Sequence, residues 1–403
     1  MIFYFFTRVV TNMKLIPIIF SLLAIATMPV MAATITVDDS GGANYTSIQE
    51  AVNNAVAGDK ILVYPGNYTE SVDVDKKLTI VSLSGNPADT IVHAKVTSDS
   101  YYIETDDVFD VTADGVIISG FSLIGATINE YGDDQAGIHL TGSQSCIISN
   151  NYLSNNLGLF LTQSDNNMLI NNTVFQNNVK GIWLSGSSNN ELNGNNVTLN
   201  DQEGILLYSR SNDNTLKNNT ITSNGFGIFL IADCNNNVLE NNYASNNYLG
   251  FVTDTNNVIF SNNTAISNSR VGFEITGNNN VLTDNTASSN LIGISLNHAG
   301  SCALSNNLAS NNVDGIYIYK SSGNELKSNN ASNNSRYGVY LNSSSKNNTL
   351  ISNIVFSNGE EDILIEDMEN NTIRDEAENM AFLNPLFVLI FLLIIFLVVS
   401  SNY

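Results

Sequence analysis

The sequence predicts an all-β chain wound as a single-stranded parallel β-helix, and three observations carry that expectation. Ten glycines from Gly137 to Gly338 recur with a mean period of about 22 residues. Each opens a short strand of the form G-I-x-L, whose apolar residues stand two apart and so share one strand face. Asparagine keeps the same period, at Asn151, Asn172, Asn196, Asn219, Asn242, Asn263, Asn285, Asn307, Asn330 and Asn353. Each period therefore holds about three short strands separated by turns of Asn, Ser and Gly, and coils of about 22 residues stack at ~4.8 Å. Helical solenoids use longer units, and the leucine-rich pattern L-x-x-L-x-L-x-x-N does not fit. Asn suits the turns because it tolerates the left-handed conformation, and equivalent Asn side chains can bond from coil to coil.

The elements follow in order. Residues 1–32 read as an export signal: Lys14, an apolar core over 15–31 and small residues at Ala32 and Ala33. Ser47-Ile-Gln-Glu50 is a capping box, and Ile48, Ala51, Val52 and Ala55 mark one apolar face. Ser47–Ala57 is thus expected as a helix that hides the open N-terminal end of the core. Ile61–Val63, Leu78–Val81, Ile91–Val92 and Val116–Ile118 supply irregular coils before the clear repeats of 137–358. The β-helix domain is placed at 33–378. Leu386–Val399 is an uninterrupted apolar run of 14 residues. Extended to 380–401 it reaches about 33 Å as a helix, enough for a ~30 Å hydrocarbon core. It is expected to be a C-terminal transmembrane anchor.

Composition narrows the function. The 403 residues include 15 Lys+Arg against 38 Asp+Glu, a net charge of −23. Without clustered cations, nucleic-acid binding is excluded as a class. Charge has been replaced by 65 Asn residues.

Residues 34–80, TITVDDSGGANYTSIQEAVNNAVAGDKILVYPGNYTESVDVDKKLTI, resemble the opening of pectin-lyase-like surface proteins. The G-I-x-L…N-x-L…N-N repeat resembles the NosD-type β-helix, a family labelled periplasmic copper-binding and common among archaeal surface proteins. The resemblance spans about residues 34–358. It implies a right-handed helix of the pectin-lyase-like superfamily, and leaves function open because one fold hosts many activities.

Copper would need His, Cys and Met together. His298 and Cys302 are the weak candidate pair, four residues apart in one turn; Cys146 shares the register of Cys302 but lies seven coils, about 34 Å, away. Polysaccharide-cleaving β-helices use paired carboxylates. Asp133 and Asp134, just before Gly137-Ile-His139-Leu, are the weak catalytic candidates, beside Asp106-Asp107 and Glu360-Glu361. The hydrolase-type G-H-G and R-I-K and the epimerase-type D-P-H-D patterns are absent.

The residue x of each G-I-x-L strand points outward, giving the column His139, Phe160, Trp183, Leu206, Phe229, Val252, Glu274, Ser295, Tyr317 and Tyr340. Its apolar middle is expected as an exposed ridge, widened by Tyr208, Ile231 and Tyr319. Such a ridge marks an interaction site or packs under a loop or partner. Phe160, Trp183, Phe229, Tyr208, Tyr317 and Tyr340 are the candidate ligand-binding residues. N-x-[ST] sites such as Asn44, Asn67, Asn171, Asn196, Asn218, Asn262, Asn330, Asn342 and Asn347 are plentiful, several of them assigned to ladder positions. The reading is an exported, membrane-anchored cell-surface β-helix. Its expected partners are a cell-surface glycan or surface-layer protein, with no cofactor and no enzymatic role. The alternatives are a polysaccharide lyase or hydrolase and a copper-binding accessory protein.

Overall fold

The computed structural model describes residues 32–96, 105–126 and 135–374. The signal segment, Asp133, Asp134 and the 380–401 segment lie outside the described residues. Three parallel sheets form the solenoid. Sheet 1 has 15 strands, from Thr34–Val37 to Thr372–Arg374; sheet 2 has 13, from Gly66–Thr69 to Ile354–Phe356; sheet 3 has 13, from Val72–Val74 to Glu361–Ile365. One coil visits sheet 3 (Ala136–Thr141), sheet 1 (Ile147–Ser149) and sheet 2 (Tyr152–Ser154), then returns to sheet 3 at Leu157–Thr162.

The alternation read from G-I-x-L holds. Ile182 and Leu184 are fully buried in the core, while Trp183 faces out and is half-buried. Where Phe251 and Phe273 enter from sheet 3 and Phe260 from sheet 1, sheet 2 supplies Ala244, Ala265 and Ala287 in the column that holds Ile221 earlier. Phe251 and Phe273 stack at 4.7 Å between ring centroids. Large residues opposite small ones keep the interior at close packing.

The glycines are needed for close approach. A Cβ at Gly181 would stand 2.5 Å from the carbonyl oxygen of Gly204 and 2.6 Å from Val197. Gly250 and Gly272 are equally tight against the next coil, at 2.6 Å. No side chain fits at this inward corner between sheets 2 and 3.

The corners are built from left-handed residues and inward polar ladders. Between sheets 1 and 2, Asn171, Asn218 and Asn262 have φ of 53°, 56° and 53°. The next residue turns inward and joins its equivalents: Asn151, Asn172, Asn195, Asn219, Asn242, Asn263, Asn285, Asn307, Asn329 and Asn353. Two assignments made from the sequence are corrected. Gly194 takes the left-handed position (φ 70°), so Asn195 joins the ladder and Asn196 is an outward strand residue. Likewise Ser328 (φ 55°) takes the turn, so Asn329 replaces Asn330.

Each rung satisfies itself. Asn219 Nδ2 donates to Leu192 O at 2.9 Å and to Asn242 Oδ1 at 2.9 Å. Its Oδ1 accepts from the Asn195 backbone N at 2.9 Å and from Asn195 Nδ2 at 3.0 Å. Both hydrogens and both lone pairs are used, so an amide can be buried without the cost of an unpaired polar group. A second Asn ladder runs Asn155, Asn177, Asn200, Asn224 and onward, and a Ser ladder runs Ser143, Ser164, Ser187, Ser211.

The capping helix α1 spans Ile48–Asn54, shorter than the Ser47–Ala57 expected. Ser47 Oγ accepts from Glu50 N as a capping box requires. The free N–H groups of Ile48 and Gln49 are taken by the Glu70 carboxylate, at 2.9 Å each, rather than by Glu50. A carboxylate there also complements the positive end of the helix.

Candidate functional site

The outward face of sheet 3 carries the column that the sequence predicts. The register runs Asp73, Asp110, His139, Phe160, Trp183, Leu206, Phe229, Val252, Glu274, Ser295, Tyr317, Tyr340 without a break. Three zones follow from it.

At the N-terminal end lies a polar cleft of about 340 Å³, lined by Asp73, Asp106, Asp107, Asp110, Gln135 and His139. His139 Nδ1 bonds Asp107 Oδ2 at 3.1 Å, and Nε2 bonds Thr162 Oγ1 at 3.0 Å. Asp107 Oδ1 accepts from Ala136 N at 2.5 Å, which fixes the carboxylate. Asp110 Oδ1 and Gln135 Oε1 are buried acceptors without a partner among the described residues. Burial pushes the Asp110 carboxyl above the usual carboxylate range; His139 partly offsets this, and Asp107 and Asp73 add to it. Asp107, Asp110 and His139 bring ligand atoms within 4.8 Å of one another, the one such group among the described residues.

The apolar middle is less open than the sequence suggests. Phe160, Leu206 and Val252 are only 6%, 6% and 8% exposed. In an in-register stack each outward side chain is flanked above and below at ~4.8 Å, so only its edge meets solvent. Phe160 stacks on Trp183 with centroids 4.4 Å apart, and Lys180 Nζ lies 4.9 Å from the Trp183 ring. Trp183 and Phe229 are half-buried, and Tyr208 is 43% exposed at the flank.

At the C-terminal end the column drops to Ser295 between two larger neighbours. The notch is a cleft of about 340 Å³, lined by Leu249, Arg270, Val271, Glu274, Ile292, Ser295, Asn297, Tyr317 and Tyr319. Glu274 Oε1 accepts from Asn297 Nδ2 at 3.1 Å, and Arg270 Nη1 donates to Tyr248 OH at 2.9 Å. Tyr317 packs against Tyr340 at 5.0 Å and Tyr319 at 6.1 Å. Tyr340 OH donates to Glu366 Oε1, which holds the Tyr340 hydroxyl above its usual range. Tyr317 thus lines the cleft, Tyr340 packs against it on the next coil, and Phe160, Trp183 and Phe229 form the ridge before the cleft. Arg270, Glu274, Ser295 and Asn297 were not picked out as binding residues from the sequence. Ser295 and Glu274 could have been found as the points where the column stops being apolar.

The soft-donor pair is not brought together. Cys302 Sγ is buried and donates to Gly277 O and Gly300 O, while His298 is exposed and bonds Asn297 Oδ1. A third Asn ladder follows the turns between sheets 3 and 1 and includes Asn167, Asn190, Asn214 and Asn237. Cys146 and Cys302 stand at its rung positions, and Asn237 Nδ2 donates to Cys234 O. Burial pushes the thiols of Cys234 and Cys302 up to about 11.

The fold is a right-handed parallel β-helix with one continuous outward column along sheet 3. The chain belongs to the family described as periplasmic copper-binding protein (NosD), which matches residues 52–254; the right-handed β-helix region matches 243–377. A cell surface glycoprotein of Methanothermus fervidus is 31% identical over 113 residues, 28% of this chain and 16% of that relative's length. Among solved structures, the mannuronan C-5 epimerase AlgE6 A-module of Azotobacter vinelandii superposes with a TM-score of 0.59 at 16% identity, over 81% of this chain and 91% of that one. The catalytic domain of a GH87 α-1,3-glucanase in complex with nigerose gives 0.54 at 16% identity, over 86% and 69%. At these identities the likeness is one of fold. Copper does not fit the residues described: the three thiols are buried in the coil interior, and the Asp107–Asp110–His139 group offers one imidazole among carboxylates.

Proposed function

We propose that this is an exported, cell-surface β-helix that binds a glycan along the outward face of sheet 3. The observation that carries the reading is the Ser295 notch. It places a carboxylate, an amide and a guanidinium beside tyrosine rings in a shallow cleft open to solvent. Sugar rings present apolar faces and hydroxyl edges, which this mixture satisfies. The ridge extends the contact towards the polar cleft at His139, about 34 Å away over seven coils. The apolar run at 386–399 supports tethering to a membrane. No helix among the described residues is long and apolar enough to cross one.

A glycan array probed with residues 33–378 tests the reading, followed by titration of the best glycan. Tyr317→Ala and Glu274→Gln are each expected to weaken binding about tenfold, some 1.4 kcal/mol. Failure of every arrayed glycan to bind sinks it.

A second reading, chemical action on the bound glycan, is favoured by the Asp107–His139 pair beside the raised carboxyl of Asp110. Release of new reducing or unsaturated ends by the wild type, lost in His139→Ala, would establish it.

A further inference from the structure

The corner between sheets 1 and 2 carries a regularity of its own. Its outward residues in successive coils are Asn171, Gly194, Asn218, Asn241 and Asn262, all left-handed. Three of them open the triplets Asn171-Asn172-Thr173, Asn218-Asn219-Thr220 and Asn262-Asn263-Thr264. The ladder splits each triplet. The middle Asn turns inward and is buried, while the first Asn is exposed and the Thr begins a sheet 2 strand on its outer side. The two acceptors assigned to ladder positions from the sequence, Asn196 and Asn330, are not rungs, because Asn195 and Asn329 hold those places. In the three triplets the acceptor precedes the rung, so attaching a group to it leaves the ladder whole.

We propose that Asn171, Asn218 and Asn262 are N-glycosylated, forming a column of glycans on the edge opposite the sheet 3 face. In the transfer, Asn Nδ2 attacks C1 of a glycan carried on a lipid phosphate or pyrophosphate. The Nδ2–C1 bond forms, the bond from C1 to the phosphate oxygen breaks, and the lipid phosphate leaves with the electron pair. The displaced proton passes to a base of the membrane glycosyltransferase.

Geometry favours these three. They stand on alternate coils, about 9.6 Å apart. The coil between the first two carries Asn196-Val197-Thr198, whose Asn lies past the rung within a sheet 2 strand, and the coil between the last two carries Asn241, which opens no such triplet. The first intervening residue is Gly194, where a Cβ would collide with Asn171 Oδ1. Asn218 Nδ2 donates to Asn193 Oδ1 at 3.0 Å and Asn262 Nδ2 to Asn241 Oδ1 at 2.6 Å. A glycosylated amide keeps one N–H, so each Asn retains a donor for this bond. Around a three-sided coil, the corner joining sheets 1 and 2 lies across from sheet 3, so glycans there leave Glu274 and Tyr317 uncovered. Asn342, by contrast, directly follows the sheet 3 strand Tyr337–Leu341, and its Oδ1 is held by Ser344 N at 3.0 Å.

The inference does not rest on glycan binding by sheet 3. Its test is peptide mass mapping of the full chain purified from its source cells. The peptides containing Asn171, Asn218 and Asn262 are expected to carry a hexose-based mass. The triple variant N171Q/N218Q/N262Q, made in the same cells, is expected to lose these masses and migrate faster. Gln tolerates the left-handed position, as Gln163 and Gln176 show. Glycan on at least two of the three supports the inference. Recovery of two or all three peptides without it, or glycan confined to other sites, overturns it.

Discussion

The imidazole of His139 lies nearly flat on the ring of Phe160, with centroids 4.5 Å apart and planes 16° from parallel. Its edge is turned to Asp107 on one side and Thr162 on the other. The polar cleft and the apolar ridge therefore share one stacked pair. Register alone dictates this, because His139 and Phe160 are paired residues of adjacent strands. A ring held on its face by packing and on its edge by hydrogen bonds is oriented before any ligand arrives.

Asp110 should make stability depend on pH. Its raised carboxyl holds a proton to higher pH when folded than when unfolded. Between those two values the folded state binds more protons, so stability falls as pH rises through the folded value. Asp110→Asn is expected to melt higher than the wild type at roughly pH 8, the gain fading towards about pH 3. Thermal melts across that range check it; an equal difference at both ends contradicts the assignment.

A single ladder rung should matter more than its outward neighbour. Asn219→Ala strands Leu192 O and Asn195 N inside the coil. Leaving two buried groups unpaired costs about 3 kcal/mol or more. Asn241→Ala, exposed in the same corner column, should cost about 1 kcal/mol, through its left-handed backbone and one solvent-exposed bond from Asn262. Urea unfolding of both variants provides the comparison.

Leu199 is 51% exposed and has φ 58°, in a turn where the flanking coils place Gln176 and Ser223. A Leu there bears left-handed strain without gaining burial. Leu199→Gly or Leu199→Asn should stabilise the protein by about 1 kcal/mol. A lower melting temperature for both variants would contradict this.

The ridge should contribute to stability as well as to binding. Trp183 packs on Phe160 and beneath Lys180, so Trp183→Ala with Phe229→Ala does not behave as a pure surface change. The pair is expected to cost about 2 kcal/mol, between the ~0.5 of a surface site and the 3–5 of a core aromatic. Glycan binding should weaken in the same variant. Calorimetry and titration on one preparation separate the two effects.

Much of this was legible in the sequence because coils repeat. The glycine period gave sheet 3 its register, and the residue x of G-I-x-L gave the outward column from His139 to Tyr340. What a period could not show was which of two adjacent asparagines turns in. Gly194 and Ser328 take the left-handed position and shift the rung by one, a choice made by backbone conformation. Exposure was misjudged for Phe160, Leu206 and Val252, because their neighbours are 21 to 23 residues away in the chain. Asp107 was noted only as part of an acidic pair. It lies in an irregular segment and meets His139 across 32 residues.

The unbroken register of sheet 3 also works as a ruler. Each coil offers the next the same edge, so duplicating one complete repeat in the gene would lengthen the rod without disturbing the coils on either side. A repeat duplicated between His139 and Ser295 would move the two clefts apart by one increment of about 4.8 Å. A ligand that bridges them would then be selected by its length, in steps set by the number of coils.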